Sequence, residues 1–455
     1  MTRKQDAGKT ALELGHAIES GKLDPRDLAR TSLEAIRNAD SDRRVFSQVM
    51  ETRALAEADA ASRRARSGLR RHPLDGVPVS WKDLFDSAGT PTAAGTLPLK
   101  TRVPTQDADV LARGSRAGLI AIGKTNMTEL AFSGLGINPH FGTPANAFDD
   151  RIERVPGGSS AGAAISVAGG YCAAAIGTDT GGSVRIPAAW NGLVGLKTTS
   201  GLLPLDGALP LSQSFDSVGP LTKDVADAGA MLSVLGGQKY RPIEKADLAQ
   251  AVFLLPGGVA WSGLDEGIAQ ALDEAIRRLI HAGARIIEAP LPELDDINAL
   301  AWAPGKSRLV AEAYANWHEM LEAHGEMIFP PVHARVLAGE KLRGVDLVAA
   351  DQARRAIAAR YLAATAGYDG VLLPTVRITP PPIAALIEGG PDYFKANLEA
   401  LRNTTMGNQL GLCAITLPVG YDACGIPVGL MLQSSPYTEQ KLLSLALAME
   451  DALTK

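Results

Sequence analysis

The stretch GTDTGGSVRIPAAW, residues 177–190, sets Ser183 directly behind two glycines and just ahead of an arginine and a proline. A serine presented on a glycine turn at the start of a short helix can act as a nucleophile once something removes its proton. Taken alone, GGS reads first as an ordinary glycine-rich turn between a strand and a helix. The usual base for a serine is histidine, and the chain holds seven, at 16, 72, 140, 281, 318, 324 and 333. None stands in an evident catalytic context, although His140, in INPHFGTP, stays open. A buried lysine can do the same work, because desolvation favours its neutral amine, and Ser-Lys pairs are a known solution to the nucleophile problem. Lys82 fits that role, since the apolar segment GVPVSW before it would carry it inward; the other reading is a strand-end lysine on the surface.

Two further motif matches are formally good and physically poor. GLIAIGKT, Gly118 to Thr125, satisfies the phosphate-loop pattern G-x-x-x-x-G-K-[ST]. Its intervening Leu119, Ile120, Ala121 and Ile122 belong in a buried strand, whereas a phosphate loop must turn there around an anion and run into a helix. GSSAG, Gly158 to Gly162, satisfies the G-x-S-x-G elbow, which needs a strand ahead of its serine. The preceding DDRIERVPG, with Pro156 and several charges, makes a poor central strand.

The elements that must hold these residues alternate between helix and strand. Asp24, Pro25 and Asp27 mark a helix start, with Leu28, Ser32, Ala35 and Ile36 on one face. Strands are expected at 76–85, 119–123, 171–178, 251–256, 284–289, 368–375, 413–420 and 426–433. Helices are expected near 107–117, through the small residues of SAGAAISVAG at 160–169, around Ile268 to Leu279, near 306–323 and 344–364, and in the closing KLLSLALAMEDAL. FPPVHARV, 329–336, reads as irregular. No internal repeat or separating linker appears, so one α/β domain over 1–455 is the economical reading.

Composition bounds the function. The chain of 455 residues is 46% hydrophobic and 21% charged with a net charge of -5, which gives no general pull toward nucleic acid or anionic membrane. RRARSGLRR at 63–71 reads as a solvated connector. Three cysteines, at 172, 413 and 424, form no CxxC pair and no even framework, so a reducing compartment, no zinc ribbon and no metal are expected. MTRKQDAGKT lacks the apolar core of a signal peptide, and no apolar run is long enough for a membrane span; a cytoplasmic protein is expected.

Lys82 in GVPVSWKDLFDSAG, Ser159 in PGGSSAGAA and Ser183 in GTDTGGSVRIPAAWNGLVGLKTTSG together resemble the amidase signature family, whose members use a Ser-Ser-Lys triad. KTNMTELAFSGLGINPHFGTPANAFD, SFDSVGPLTKDVADAGAML, YDGVLLPT, GLCAITLPVG and GIPVGLMLQ look like family blocks in family order. The resemblance spans most of the chain and is weakest from about 240 to 360. It implies an α/β fold with a large mixed central sheet covered by helices on both faces. The catalytic core would occupy about 70–235 and 365–455, around a variable helical excursion at about 240–364.

Carried over by residue, Ser183 looks like the nucleophile, Ser159, after a cis peptide bond, the bridging serine, and Lys82 the base. Glycines at 181 and 182 would let the amides of Thr180, Gly181, Gly182 and Ser183 converge on an oxyanion. Ser160, Asp179 and Arg185 match supporting positions; Asn138, Thr404 and Asn408 fall in blocks that could line the substrate pocket. No cofactor is implied. The first block reads SSAGAA where the family often has a second glycine pair, and the third continues KTTSGLLPLDG where many members have Lys-Pro and Gly-Arg.

The implied chemistry is hydrolysis of a small-molecule carboxamide through a serine acyl-enzyme. The alternatives are the amidase subunit of a glutamyl-tRNA amidotransferase, feeding ammonia to a partner, and a scaffold that kept the fold. GLLPLDGALPLS and IFPPVHARV suggest a pocket closed over a compact, partly apolar amide, so a small neutral primary amide or an anilide should be hydrolysed better than glutamine. The sequence leaves the acyl group, the leaving amine and the oligomeric state open, a homodimer included.

Overall fold

The computed structural model describes residues 8–40, 42 and 44–453; the first seven residues of the N-terminal stretch considered above lie outside it. Among the described residues, eleven strands form one sheet. They are β1 (Phe46–Val49), β2 (Pro78–Lys82), β3 (Ile120–Thr125), β4 (Ala174–Thr178), β5 (Val194–Lys197) and β6 (Val218–Thr222), then β7 (Val252–Leu255), β8 (Arg285–Glu288), β9 (Gly370–Pro374), β10 (Cys413–Tyr421) and β11 (Pro427–Ser434). Their order across the sheet is β1-β3-β2-β4-β6-β5-β10-β11-β9-β7-β8. β2 runs parallel to β3 and β4, and β7 parallel to β8 and β9, while the other neighbours are antiparallel, so the sheet is mixed.

Successive side chains of a strand leave opposite faces, and the core divides accordingly. Val371 and Leu373 of β9 pack with Ile357, Tyr361 and Met406 from the helices Gly344–Thr365 and Pro391–Gln409. Leu372 between them packs on the other face, in the cluster that holds Leu272 and Leu279 of helix Glu266–His281 and Leu442 and Ala446 of helix Glu439–Leu453. Both faces are therefore covered.

The expected strands and helices largely form, with differences that have physical causes. β4 begins at Ala174 because the amides of Tyr171 and Cys172 close a turn onto the Ser166 carbonyl, at 2.9 and 3.0 Å. FPPVHARV is not irregular: Pro330–Leu337 is a helix, with the prolines in its first turn, where a missing amide hydrogen costs nothing. Helices Val225–Leu235 and Pro391–Gln409 carried no expectation; the first is buried nearly all round and so shows no amphipathic period. Besides its helices, the excursion at 240–364 supplies β7 and the edge strand β8, at the two places where strands are expected.

The GLIAIGKT match resolves into β3, with every strand residue from Ile120 to Thr125 buried. Lys124 Nζ lies 2.9 Å from Asp83 Oδ1 and donates to Thr92 Oγ1 at 2.8 Å. Burial pushes both members of this pair toward their neutral forms, lowering the lysine and raising the aspartate. Removing one partner strands the other in the core, so Lys124→Met should lower unfolding stability by about 3–5 kcal/mol in a urea titration. A change under about 1 kcal/mol would show that the pair does not hold this core together.

Candidate active site

Parallel pairing of β2 with β4, with Trp81 opposite Ile176, brings the carboxyl ends of both strands to one edge of the sheet. Lys82 ends β2 and Thr178 ends β4; Lys82 is wholly buried, which removes its reading as a surface lysine. Its Nζ stands 2.7 Å from Ser159 Oγ and 2.8 Å from Thr178 Oγ1. Burial lowers its pKa to about 7, against the pull of Asp216 and Asp179, which favour the charged amine. Near neutral pH a large share of Lys82 is therefore unprotonated and able to accept a proton.

Ser159 follows a cis Gly158–Ser159 peptide, and Ser160 immediately precedes helix Ala161–Ala168 without a side-chain bond to it. That helix approaches its surroundings as closely as its small residues imply: a Cβ on Gly162 would lie 2.3 Å from the Val45 carbonyl oxygen. Ser160 Oγ donates to the Thr178 carbonyl at 3.4 Å, and its amide donates to the Ser183 carbonyl at 3.2 Å, tying the two serine segments together. No strand leads into GSSAG, so it is not an elbow.

The loop 179–184 joins β4 to helix Arg185–Trp190. Gly182 has φ +136, and a Cβ there would lie 2.1 Å from Thr404 Oγ1, so both conformation and space require glycine. The buried Asp179 carboxylate organises the loop. It accepts the amides of Gly182 at 2.9 Å and Val184 at 3.2 Å, and pairs with Arg185 Nε and Nη2 at 3.0 and 2.9 Å. Arg185 and these bonds hold its carboxyl well below the ordinary carboxylate range despite burial.

Gly182's amide is thus committed to Asp179, which corrects the expectation that all four amides converge on a substrate oxygen. The amides of Thr180, Gly181 and Ser183 donate to no protein partner among the described residues. Nor does the Ser183 hydroxyl make a hydrogen bond there, so the Lys82–Ser159 link is formed in this state and a Ser159–Ser183 link is not. Thr180, Gly181 and Ser183 border a cavity of about 290 Å³.

Asn138, Thr404 and Asn408 do not line that cavity. Asn138 Nδ2 donates to the carbonyls of Gly95 and Met127, at 2.9 and 2.8 Å, and fixes a loop. Thr404 Oγ1 donates to the Gly181 carbonyl at 2.6 Å, and Asn408 bridges Asp179 and Arg185 at 2.9 and 2.6 Å, so both stand behind the nucleophile loop. Leu401, Thr405 and Gln409 of the same helix line the cavity instead, with Leu211 and Leu342 across from them. His140 is exposed, 4.0 Å from the Glu129 carboxylate, and bonds neither serine hydroxyl.

Asp216, in the block SFDSVGPL, is a further site residue that the sequence alone does not mark. It accepts the Thr180 hydroxyl at 2.5 Å and the Leu211 and Ser212 amides at 3.0 Å each, joining two segments of the cavity wall. Burial raises its pKa to about 6. Thr178, which bonds Lys82 Nζ and stands one residue before Asp179, has no signal of its own in the sequence.

A family model described as Amidase matches residues 27–443. The 2-amino-5-chloromuconic acid deaminase of Comamonas testosteroni is 37% identical over 409 residues, covering 88% of this chain and 86% of that protein. A glutamyl-tRNA(Gln) amidotransferase subunit of Geobacter sp. (strain M21) is 31% identical over 478 residues, covering 97% of this chain and 96% of that one. A solved structure described as that of an amidase superposes with a TM-score of 0.87 at 33% identity, covering 98% of this chain and all of that one.

Proposed function

Because the chain belongs to the amidase family, enzymes that hydrolyse amides, we propose that it acts alone on a small carboxamide through an acyl-enzyme on Ser183. The observation that carries this is a wholly buried Lys82 with Nζ 2.7 Å from Ser159 Oγ, next to a loop whose serine opens on a cavity. Neutral Lys82 takes the Ser159 proton as Ser159 takes that of Ser183, whose oxygen attacks the amide carbon. This relay requires a turn of the Ser183 side chain that joins its hydroxyl to Ser159. The amides of Thr180, Gly181 and Ser183 receive the developing oxyanion, each donor being worth roughly 3–4 kcal/mol of barrier. The relay then returns the proton to the departing ammonia or amine. Water, deprotonated the same way, adds to the ester carbonyl, and Ser183 leaves with the proton as the carboxylate is freed.

The identity with the tRNA-dependent amidotransferase supports a second reading, a glutaminase working in a complex. The cavity wall argues against glutamine. It is built from residues such as Leu309, Val310 and Leu401, and among the described residues no aspartate or glutamate lines it, Asp216 standing behind Thr180 and Leu211, so an α-ammonium group would enter unpaired. The chain alone should therefore hydrolyse a small aliphatic or aryl amide at least ~100-fold better in kcat/KM than glutamine. A preference for glutamine, or activity only in the presence of a second protein, would sink this reading in favour of the glutaminase. No helix among the described residues is long and apolar enough to cross a membrane.

A further inference from the structure

The register of β4 against β6 extends past the two strands. Gly177 lies opposite Gly219 and Thr178 opposite Val218, so the same antiparallel pairing carried onward brings Asp179 to Ser217 and Thr180 to Asp216. The backbone follows it. The Asp179 amide donates to the Ser217 carbonyl at 2.8 Å, and the Ser217 amide and hydroxyl donate back to the Asp179 carbonyl at 3.2 and 2.9 Å. Asp216 therefore faces the loop that presents Ser183. Its Oδ1 accepts the Thr180 hydroxyl at 2.5 Å, and its Oδ2 accepts the amides of Leu211 and Ser212. It is buried and makes no ion pair among the described residues, whereas Asp179 is matched by Arg185.

The turn that supplies those two amides is held from outside. Glu312, on helix Arg308–His324, accepts the Ser212 and Ser214 hydroxyls at 2.6 and 2.5 Å and the Ser214 amide at 3.0 Å, and Trp317 Nε1 of that helix donates to the Pro210 carbonyl at 2.9 Å. With both oxygens committed to fixed donors, the carboxylate keeps one direction toward Thr180. Asp216 is not among the residues that line the substrate cavity. With Thr178 it borders a second cavity, of about 300 Å³, which shares the walls Ala131 and Leu211 with the first. The carboxylates that act on Lys82 are Asp216 and, less strongly, Asp179, and both favour its charged amine.

We propose that Asp216 is a positioning residue with two effects: its carboxylate fixes Thr180 so that the Thr180 amide meets the oxyanion, and its unpaired charge stabilises the ammonium that Lys82 becomes as the serines give up their proton. This rests on the amidase reading of the same site. The first effect follows from the Thr180 bond, since a loop whose hydroxyl is tethered keeps its neighbouring amide aimed before the charge develops. The second follows from burial, because a carboxylate with no cation of its own acts at long range where water is excluded. The helix Arg308–His324, from the variable part of the chain, thereby reaches the reacting groups through Glu312, the 211–214 turn and Asp216.

The test measures hydrolysis of hexanamide and acetanilide between pH 5 and 9 by the purified chain, Thr180→Val, Thr180→Ser and Asp216→Asn. Thr180→Val should lower kcat by on the order of 10–100-fold with KM within about threefold, and leave the midpoint of the pH profile in place. Thr180→Ser, which keeps the hydroxyl, should stay within about threefold of wild type. Asp216→Asn should lower kcat at least as far as Thr180→Val does. It should also move the midpoint to lower pH by at least ~0.5 unit, because the neutral amine of Lys82 then persists further into acid. Equal kcat in Thr180→Val and Thr180→Ser overturns the proposal, as does an unmoved or raised midpoint in Asp216→Asn. Should Asp216→Asn not fold, the Thr180 pair decides. Rates of fluorophosphonate labelling at Ser183 across the same pH range give an arm that needs no amide turnover. The same ratios and midpoint shift there support the role of Asp216 even if neither amide is hydrolysed, an outcome that counts against the amidase substrate range alone. Equal labelling rates in all four proteins at every pH overturn it.

Discussion

Replacing Lys82 by arginine lowers kcat/KM by at least ~10³-fold and abolishes its dependence on pH around neutrality. Arginine keeps a cation of similar length but does not deprotonate in proteins, so it cannot take the Ser159 proton. In the wild type kcat/KM should rise with pH and level off above about 7, because burial brings the Lys82 pKa down to that value and only the neutral amine accepts a proton. The same shift has a stability consequence. A lysine whose folded pKa is lowered binds its proton more weakly in the folded chain than in the unfolded one. Stability therefore falls as pH drops from about 10 to about 7, by at most ~5 kcal/mol, and does not fall further below it for this reason. Lys82→Met should be inactive yet more stable than wild type at pH 7, which a loss of activity through misfolding would not produce. Near-normal turnover in Lys82→Arg would remove lysine as the base and return attention to His140.

The part of the site that was legible in the sequence is the part set by local chemistry. Gly182 is glycine for its own backbone angle, and Lys82 ends an apolar strand that suits an inward path, with a surface lysine as the other reading until its burial settles the choice. The pocket was harder because it depends on helix phase. Thr404 and Asn408 are four residues apart on the face of Pro391–Gln409 that grips the nucleophile loop, whereas Leu401, Thr405 and Gln409 form the adjacent stripe that faces the cavity. A step of one residue is about 100° of rotation on a helix, and nothing in the quoted block sets that angle without the neighbouring loop. FPPVHARV reads as irregular because proline both ends and opens helices, and only the packed structure shows that here it opens one.

Ser183→Ala should reduce kcat/KM by at least ~10⁴-fold while leaving thermal stability within about 1 kcal/mol, and a fluorophosphonate should label the wild type once, at Ser183. The reasoning turns on which serine is free. Ser159 Oγ is engaged by Lys82 Nζ at 2.7 Å and lies in the interior with no exposure, so a reagent meets it only through its neighbour. The Ser183 hydroxyl has no protein hydrogen bond among the described residues, borders the cavity, and is followed by a helix whose first residue, Arg185, is locked to Asp179. Attack from Ser183 also places the new oxyanion beside the unengaged amides of Thr180, Gly181 and Ser183 itself, whereas attack from Ser159 finds no such set of donors in its own loop. Ser159→Ala should therefore slow turnover by on the order of 10²–10⁴-fold and still permit slow labelling at Ser183, since the acceptor of the acyl group survives and only the proton relay is cut. Mass-spectrometric mapping of the label to Ser159, or retention of full labelling in Ser183→Ala, would reverse the order of the two serines and with it the direction in which the proton runs.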